Sequence, residues 1–251
     1  MIPKIIHLCW LSGDPYPRKI QDCLDSWEKN TFLATRSFYG TRNVLTSTKS
    51  PWVEQAFNTK KYAFAADYIR LYALYHHGGI YLDSDVEILK SLDNFLELPY
   101  FVGAETSGTI EAAILGAEKG CDWIKCCLDY YEGRNFIRED GSYDIRMLPE
   151  ILNETILRLK PVINMPSGSN IDDLKKKDLG EAVYVLPKEY FSPKVFDSRE
   201  VFLTPETHAI HHYQNSWFSH KAFAYYRTRT LFIKIFGYKA VRSLEKMLLK
   251  R

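Results

Sequence analysis

Two aspartates separated by one residue, Asp83 and Asp85, form the pattern in this sequence that is best suited to chemistry. They follow a short apolar run, Ile80 to Leu82, that is typical of a buried strand. Side chains alternate along extended backbone, so we expect both carboxylates on one side and Ser84 on the other. Paired carboxylates can bind a hard divalent cation, Mn²⁺ or Mg²⁺. The sequence therefore predicts a metal site where this strand ends.

Asp-x-Asp pairs also occur in solvated turns and in the calcium loops of helix–loop–helix proteins. A calcium loop that began at Asp83 would need glycine and glutamate where this chain has Ile88 and Asn94. That class of site is excluded. A cation bound here would leave places for phosphate oxygens and would neutralise the charge of a departing diphosphate.

A second charged pair interrupts the helix that we predict from Lys61 to His77. The helix is apolar or aromatic on nearly all sides, which indicates burial, and Gly78-Gly79 provides its C-terminal stop. Asp67 and Arg70 are spaced i,i+3, so they lie on one face and can pair. Two interpretations stay open. The pair is a structural ion pair, or Asp67 hydrogen-bonds a sugar or ribose while Arg70 neutralises and orients the ligand.

A third polar segment lies far downstream. Its adjacent histidines, His211 and His212, offer a further metal ligand, because neutral imidazole commonly binds metals. The hydroxyl of Ser216 and the indole N–H of Trp217 can bind phosphate oxygens.

The elements that must position these groups alternate between strand and helix patterns. Ile2 to Trp10 predicts a buried strand, and Pro17 to about Lys29 predicts a helix. Residues 30–60 give no clear pattern because polar residues interrupt every apolar run. This alternation is typical of an α/β fold with a mostly parallel sheet, in which ligands bind beyond the carboxyl ends of the strands.

The composition excludes several classes of protein. With 46% hydrophobic and 25% charged residues it is typical of a globular chain, and no apolar run approaches the ~18 residues of a membrane span. The five cysteines lack paired spacing, so neither a disulfide framework nor a zinc site is expected. We therefore expect a cytoplasmic protein.

The positive charge is concentrated in residues 219–251, which carry nine Lys or Arg and one acid, Glu245. Aromatic and aliphatic residues are interleaved with these cations. The pattern predicts a basic amphipathic helical tail that attaches to an anionic membrane surface, on the inner face of the cell membrane. A helical extension packed on the body, or a dimer contact, stays open. No nucleic-acid recognition motif accompanies the charge, and no nucleic-acid partner is expected.

Several motifs together give a specific resemblance, although each alone does not. In chain order they are Ile2-Pro3-Lys4-Ile5-Ile6-His7 with Trp10, Ser26-Trp27, Ala66-Asp67-Tyr68-Ile69-Arg70, Gly78-Gly79-Ile80-Tyr81-Leu82-Asp83-Ser84-Asp85, Gly116-Ala117, Leu186-Pro187 with Tyr190-Phe191, and His211-His212 with Ser216-Trp217. They span most of residues 1–218. The chain resembles the bacterial, capsular-polysaccharide-type members of glycosyltransferase family 32, which are related to yeast mannosyltransferases and to clostridial toxin glycosyltransferase domains.

The resemblance implies a GT-A fold, Rossmann-like, over residues 1–218, with added C-terminal helices. It implies Asp83, Asp85, Asp67 and Arg70 as the catalytic residues, and Asp83 and Asp85 with one of His211 or His212 as metal ligands. The donor-binding residues that it implies are His7, Leu8, Trp10, Asp67, Arg70, Ser84, Asp85, Ser216 and Trp217.

The implied activity is a retaining transfer of a hexose or N-acetylhexosamine from a nucleotide sugar, with UDP as the expected nucleotide. The implied acceptor is a glycan, in the form of a lipid-linked oligosaccharide of capsular or surface polysaccharide biosynthesis. The alternatives are a toxin-like protein glycosyltransferase, a nucleotide-sugar hydrolase, or an inactive sugar-nucleotide-binding protein. Fold alone does not choose among them.

Two departures from the family pattern affect these expectations. Relatives have a polar Asn near the donor sugar where this chain has Ile110 to Gly116, and residues 31–50 match poorly, with Asn43 as the counterpart of the usual Asn. On mechanism, Glu105 and Glu111 are the acids that could act as a nucleophile. We expect instead a front-face transfer in which the departing diphosphate helps to deprotonate the acceptor.

Overall fold

The computed structural model describes residues 1–31, 50–106, 108–196, 198–214, 228–229, 231–233, 235–237 and 241, and the backbone of residues 35–39. Its strands are β1 (Ile5–Cys9), β2 (Thr35–Tyr39), β3 (Gly79–Leu82), β4 (Val86–Ile88), β5 (Tyr100–Ala104), β6 (Ile110–Ala117), β7 (Val162–Asn164), β8 (Val183–Val185) and β9 (Ala209–His211). Its helices are α1 (Arg18–Asn30), α2 (Pro51–Asn58), α3 (Tyr62–His77), α4 (Asp122–Asp129), α5 (Leu148–Leu159) and α6 (Ile171–Lys175), with single 3₁₀ turns at Asp93–Phe95 and Lys188–Tyr190.

A five-stranded sheet in the order β2-β1-β3-β6-β5 forms the centre of the protein. β1 pairs in parallel with β2 and with β3, whereas β6 is antiparallel to both β3 and β5. Four strands therefore point one way and β6 alone is reversed. The predicted α/β class, with a mostly parallel central sheet, is confirmed.

Apolar side chains cover both faces of this sheet. Along β3, Tyr81 packs into the core beneath α2, α3, α4 and α5, while Ile80 and Leu82 pack into a second core beneath α1. The alternation follows from the two-residue period of a strand. At about 25 cal/mol per Å², burial of these side chains is the main stabilising term.

The predicted position of helix α3 is confirmed, and the helix ends at the predicted glycines. Gly78 has φ of 66° and Gly79 has φ of 110°, values that residues with a Cβ rarely adopt. A Cβ on Gly79 would also lie 2.6 Å from the carbonyl oxygen of Ile5. The two glycines therefore let α3 turn directly into β3 beside β1.

Two small sheets accompany the central one. β4 pairs antiparallel with β9, with Val86 opposite His211, and β7 pairs in parallel with β8. The β4–β9 pair is important here because it brings a late segment of the chain to the end of β3. Among the described residues, no helix has both the length and the apolar character needed to cross a membrane.

Candidate active site

The two aspartates lie in a tight turn between β3 and β4. β3 ends at Leu82, and the amide of Val86 donates to the carbonyl oxygen of Asp83 across 3.0 Å. We predicted extended backbone here, but Ser84 and Asp85 form the turn. The carboxylates are therefore brought together by the turn rather than by the alternation of a strand.

Asp83 is held by the core of the protein. Its amide donates to the carbonyl oxygen of Ala113 on β6 across 2.8 Å, and its carboxylate accepts from the hydroxyl of Tyr81 across 2.8 Å. The Nη2 atom of Arg70 lies 3.4 Å from the same carboxylate. Burial raises the pKa of Asp83, and Arg70 opposes that rise.

Arg70 is the buried centre of a charge network, with its side chain 6% exposed. Its guanidinium lies 3.1 Å from Asp67, donates to the carbonyl oxygen of Ala112 across 2.7 Å, and stacks 4.6 Å from the ring of Tyr81. Burial opposes its charge, but the carboxylates, Asp83 foremost, raise its pKa. Burial raises the pKa of Asp67 to about 7, although Arg70 lowers it. The predicted Asp67–Arg70 pair forms, and it includes Asp83 as a third member.

Asp85 faces a segment that comes late in the chain and contains His211 and Gln214. One of its carboxylate oxygens lies 3.6 Å from Nε2 of His211, and the other accepts from the amide of Gln214 across 2.8 Å. Single ligand atoms of Asp83, Asp85 and His211 all lie within 4.8 Å of one another. Two carboxylates and one imidazole suit Mn²⁺ or Mg²⁺, so the residues present fit the cation that the resemblance implies.

The adjacent histidine points elsewhere. Nε2 of His212 lies 2.6 Å from the carboxylate of Glu87, and its Nδ1 lies 3.4 Å from Nζ of Lys194. Of the two histidines that the sequence offered as metal ligands, the structure brings His211 to the aspartates and places His212 in a separate contact with Glu87.

Glu111 was not expected to contact the histidine. It lies on β6 with its side chain 3% exposed, and one oxygen is 3.1 Å from Nδ1 of His211. Its carboxylate also accepts from the amide of Ala113 across 2.9 Å and from the hydroxyl of Ser192. Burial opposes its ionisation, yet His211 and these hydrogen bonds hold its pKa below the usual value. Burial lowers the pKa of His211, but Glu111 and Asp85 raise it overall.

The predicted donor-binding residues of β1 separate into two groups. His7 is fully buried and its Nε2–H donates to the carbonyl oxygen of Gly78 across 2.7 Å, while Leu8 packs in the core beneath α1. Both buried side chains therefore hold β1 in place, and their role in donor binding stays a prediction. Trp10 is half-buried beyond the strand and packs on Tyr16 with ring centroids 5.0 Å apart. Trp10 stays a candidate platform for a base or sugar.

The remaining predicted contacts are Ser84, Ser216, Trp217 and Asn43. Ser84 lies in the turn beside Asp85. Ser216, Trp217 and Asn43 lie outside the described residues, and so does most of the predicted tail 219–251.

Comparison with known proteins shows which proteins this part of the chain resembles. Residues 18–102 match the family described as "Glycosyltransferase sugar-binding region containing DXD motif". The matched segment contains both the Asp67–Arg70 pair and the Asp83–Asp85 turn. The predicted resemblance to DXD-motif glycosyltransferases is therefore confirmed.

Individual relatives agree with this class. The chain is 29% identical over 150 residues to an uncharacterised glycosyltransferase of Acanthamoeba polyphaga mimivirus, covering 58% of this chain and 60% of that protein. It is 29% identical over 128 residues to inositol phosphoceramide mannosyltransferase 3 of Schizosaccharomyces pombe, covering 47% of this chain and 34% of that protein. It thus spans less than two thirds of the length of either relative. A solved structure, the PaToxG glycosyltransferase, aligns with a TM-score of 0.46 and 19% identity over 63% of this chain and 69% of that one.

Proposed function

We propose that this protein is a metal-dependent, retaining glycosyltransferase that uses a nucleotide sugar as donor. One observation carries the proposal: Asp83, Asp85 and His211 converge within 4.8 Å beside the buried cation Arg70. Asp83, Asp85 and His211 would hold Mn²⁺ or Mg²⁺, and the bound cation supplies Lewis-acid stabilisation of the departing diphosphate.

The side chains around this cluster have separate roles in the proposed reaction. Arg70 balances the charge of Asp67 and Asp83 and favours their ionised forms, against the effect of burial. Asp67, 13% exposed, is placed to accept a hydrogen bond from a sugar hydroxyl. Trp10 offers a flat ring at the carboxyl end of β1, where ligands of α/β sheets collect.

Retention of configuration is proposed without a covalent intermediate. A nucleophilic carboxylate needs a free oxygen that faces the sugar. The carboxylate of Glu111 is instead surrounded by Ala113, Ser192 and His211. This supports the front-face mechanism over attack by Glu111.

We further propose a lipid-linked glycan as acceptor and attachment to the cytoplasmic membrane surface through the tail, in capsular or surface polysaccharide biosynthesis. Two observations support a lipid acceptor and attachment. The relative from Schizosaccharomyces pombe is named for a lipid acceptor. Among the described residues of the tail, four large apolar side chains are between 48% and 63% exposed, namely Leu231, Phe232, Ile235 and Phe236. Exposed apolar residues interleaved with cations are typical of interfacial segments.

A donor screen tests the proposed activity. Melting temperature is measured with uridine and guanosine diphosphate sugars, with and without Mn²⁺, and donor turnover is then measured with the sugar that binds. A ligand that binds the native state alone raises the melting temperature. We expect one sugar to give a Mn²⁺-dependent shift that Asp85→Asn abolishes and that the exposed control Asp22→Asn retains. A shift of equal size in Asp85→Asn would overturn the proposed site, and no shift with any donor would overturn the proposed function.

A further inference from the structure

We propose that Glu111 is a positioning residue that orients His211 for metal binding and fixes which ring nitrogen is free to bind. The inference rests on the proposed metal site and deepens it. Neither Asp-x-Asp spacing nor the match over residues 18–102 includes Glu111.

The geometry of the histidine ring shows the two roles of its nitrogens. Nδ1 faces the carboxylate of Glu111 at 3.1 Å, and Nε2 faces Asp85 at 3.6 Å. A carboxylate can only accept, so Nδ1 must carry the proton and donate. With the proton held on Nδ1, the Nε2 lone pair of the neutral ring points into the aspartate cluster. A carboxylate behind a histidine ligand fixes its tautomer in this way and raises its basicity.

Glu111 is itself fixed by the fold and not by the ligand. Its second oxygen accepts from the amide of Ala113 two residues along β6, and the hydroxyl of Ser192 donates to the oxygen that faces His211. At 3% exposure the carboxylate has no access to solvent and cannot swing away. It is also not part of the cluster of ligand atoms, so it acts through His211.

The rest of the ring is restrained as well. The ring of Tyr213 packs on His211 with centroids 4.0 Å apart. His211 ends β9, whose ladder with β4 fixes its backbone. A 180° flip of the ring about its Cβ–Cγ bond would place Cδ2 where Nδ1 now faces Glu111, so the hydrogen bond to Glu111 opposes that flip.

The chain provides a matched control in the neighbouring pair. Glu87 on β4 and His212, the residue after β9, also form a carboxylate–imidazole contact, at 2.6 Å. Neither residue belongs to the cluster of Asp83, Asp85 and His211. Any general effect of removing a carboxylate next to a histidine will therefore also occur in Glu87→Gln, without an effect on the metal.

Two measurements test the proposal. Mn²⁺ affinity is measured by electron paramagnetic resonance for the unmodified protein, Glu111→Gln, Ser192→Ala and Glu87→Gln. We expect a loss of roughly 10–100-fold in Glu111→Gln, a smaller loss in Ser192→Ala and no change in Glu87→Gln. The second measurement needs no metal: the ring Nδ1–H of His211, assigned by its absence in His211→Asn, should give a protected downfield proton resonance that is lost in Glu111→Gln.

The outcomes separate this inference from the function on which it rests. Unchanged Mn²⁺ affinity in a folded Glu111→Gln protein would overturn it, as would a His211 resonance that is the same in both proteins. If Glu111→Gln does not fold, Ser192→Ala decides, and wild-type affinity there would overturn the inference. No Mn²⁺ binding by the unmodified protein would overturn the proposed function instead, and the resonance would still decide how His211 is oriented.

Discussion

Asp83 and Asp85 are separated by one residue, but different parts of the molecule hold them. Asp83 is anchored to the central sheet through Ala113 and to the buried Arg70. Asp85 contacts a segment that comes late in the chain, and it accepts there from the amides of His212 and Gln214. The carboxylate of Asp83 is therefore part of the folded core, and that of Asp85 is positioned by residues that come late in the chain. The site is therefore assembled from two parts: a rigid half, which contains Arg70 and Asp83, and a late half, which contains Asp85 and the segment with His212 and Gln214.

The largest expected effect comes from breaking the rigid half. Arg70→Met leaves the carboxylates of Asp67 and Asp83 without their buried cation, which costs about 3–5 kcal/mol of unfolding free energy. Urea unfolding at pH 8 measures this loss. The control is Arg158→Met, because the pair of Arg158 with Glu154 has its arginine 75% exposed. A pair so exposed contributes less than about 1 kcal/mol. Equal losses in the two variants would contradict the buried network.

Hydrogen exchange followed by NMR sharpens the comparison between the two halves. The amide of Asp83 lies in the ladder between β3 and β6, whereas the amide of Gln214 donates to a side chain in an exposed segment. We expect exchange at Asp83 to be slower by at least about 100-fold, because opening of core strands approaches global unfolding. Addition of Mg²⁺, which is diamagnetic, should slow exchange at Gln214 and leave Asp83 unchanged. Similar rates at both amides would show that the halves open together.

The smallest effect concerns the pH dependence of the rigid half. The pKa of Asp67 is raised to about 7 from 3.8. A raised folded-state pKa adds stability that is fully present below pH 3.8 and is lost as the pH rises through about 7. Asp67→Asn cannot ionise, so the unmodified protein should lose stability relative to this variant over this range, and the difference in melting temperature should be constant above it. Thermal melts from pH 4 to 8 measure the difference, and a gap that does not change with pH would contradict the raised pKa.

Much of the rigid half could be predicted from local sequence. The spacing of Asp67 and Arg70 on an apolar helix predicted their contact, and the glycines after α3 predicted its end, because both depend on neighbours within a few residues. The five-residue β1 and the turn at Ser84 and Asp85 differ in detail from the predicted strands. Hydrogen bonding to partner strands, which local patterns do not contain, sets those ends.

The late half could not be predicted in the same way. A choice between His211 and His212 depends on the register of β9 against β4, and a slip of one residue would exchange the two side chains. The contact of Glu111 with His211 was missed for a related reason. Ligands are expected at the carboxyl ends of the parallel strands. β6 runs in the opposite direction, so its first residues, and not its last, lie at the site. A signal was present, because Glu111 is the single charged residue in the buried run Ile110–Ala117.

The separation of the two halves along the chain also sets an order of events during synthesis. All five strands of the central sheet precede residue 118, whereas His211 follows Glu111 by 100 residues. At usual rates of translation that interval is roughly 5–20 s. A nascent chain can thus form the sheet, with Asp83 and Glu111 already inside it, while the ribosome has yet to make the histidine. If Asp83, Asp85 and His211 bind the metal as proposed, its capture has to wait until translation has passed the last of the three residues.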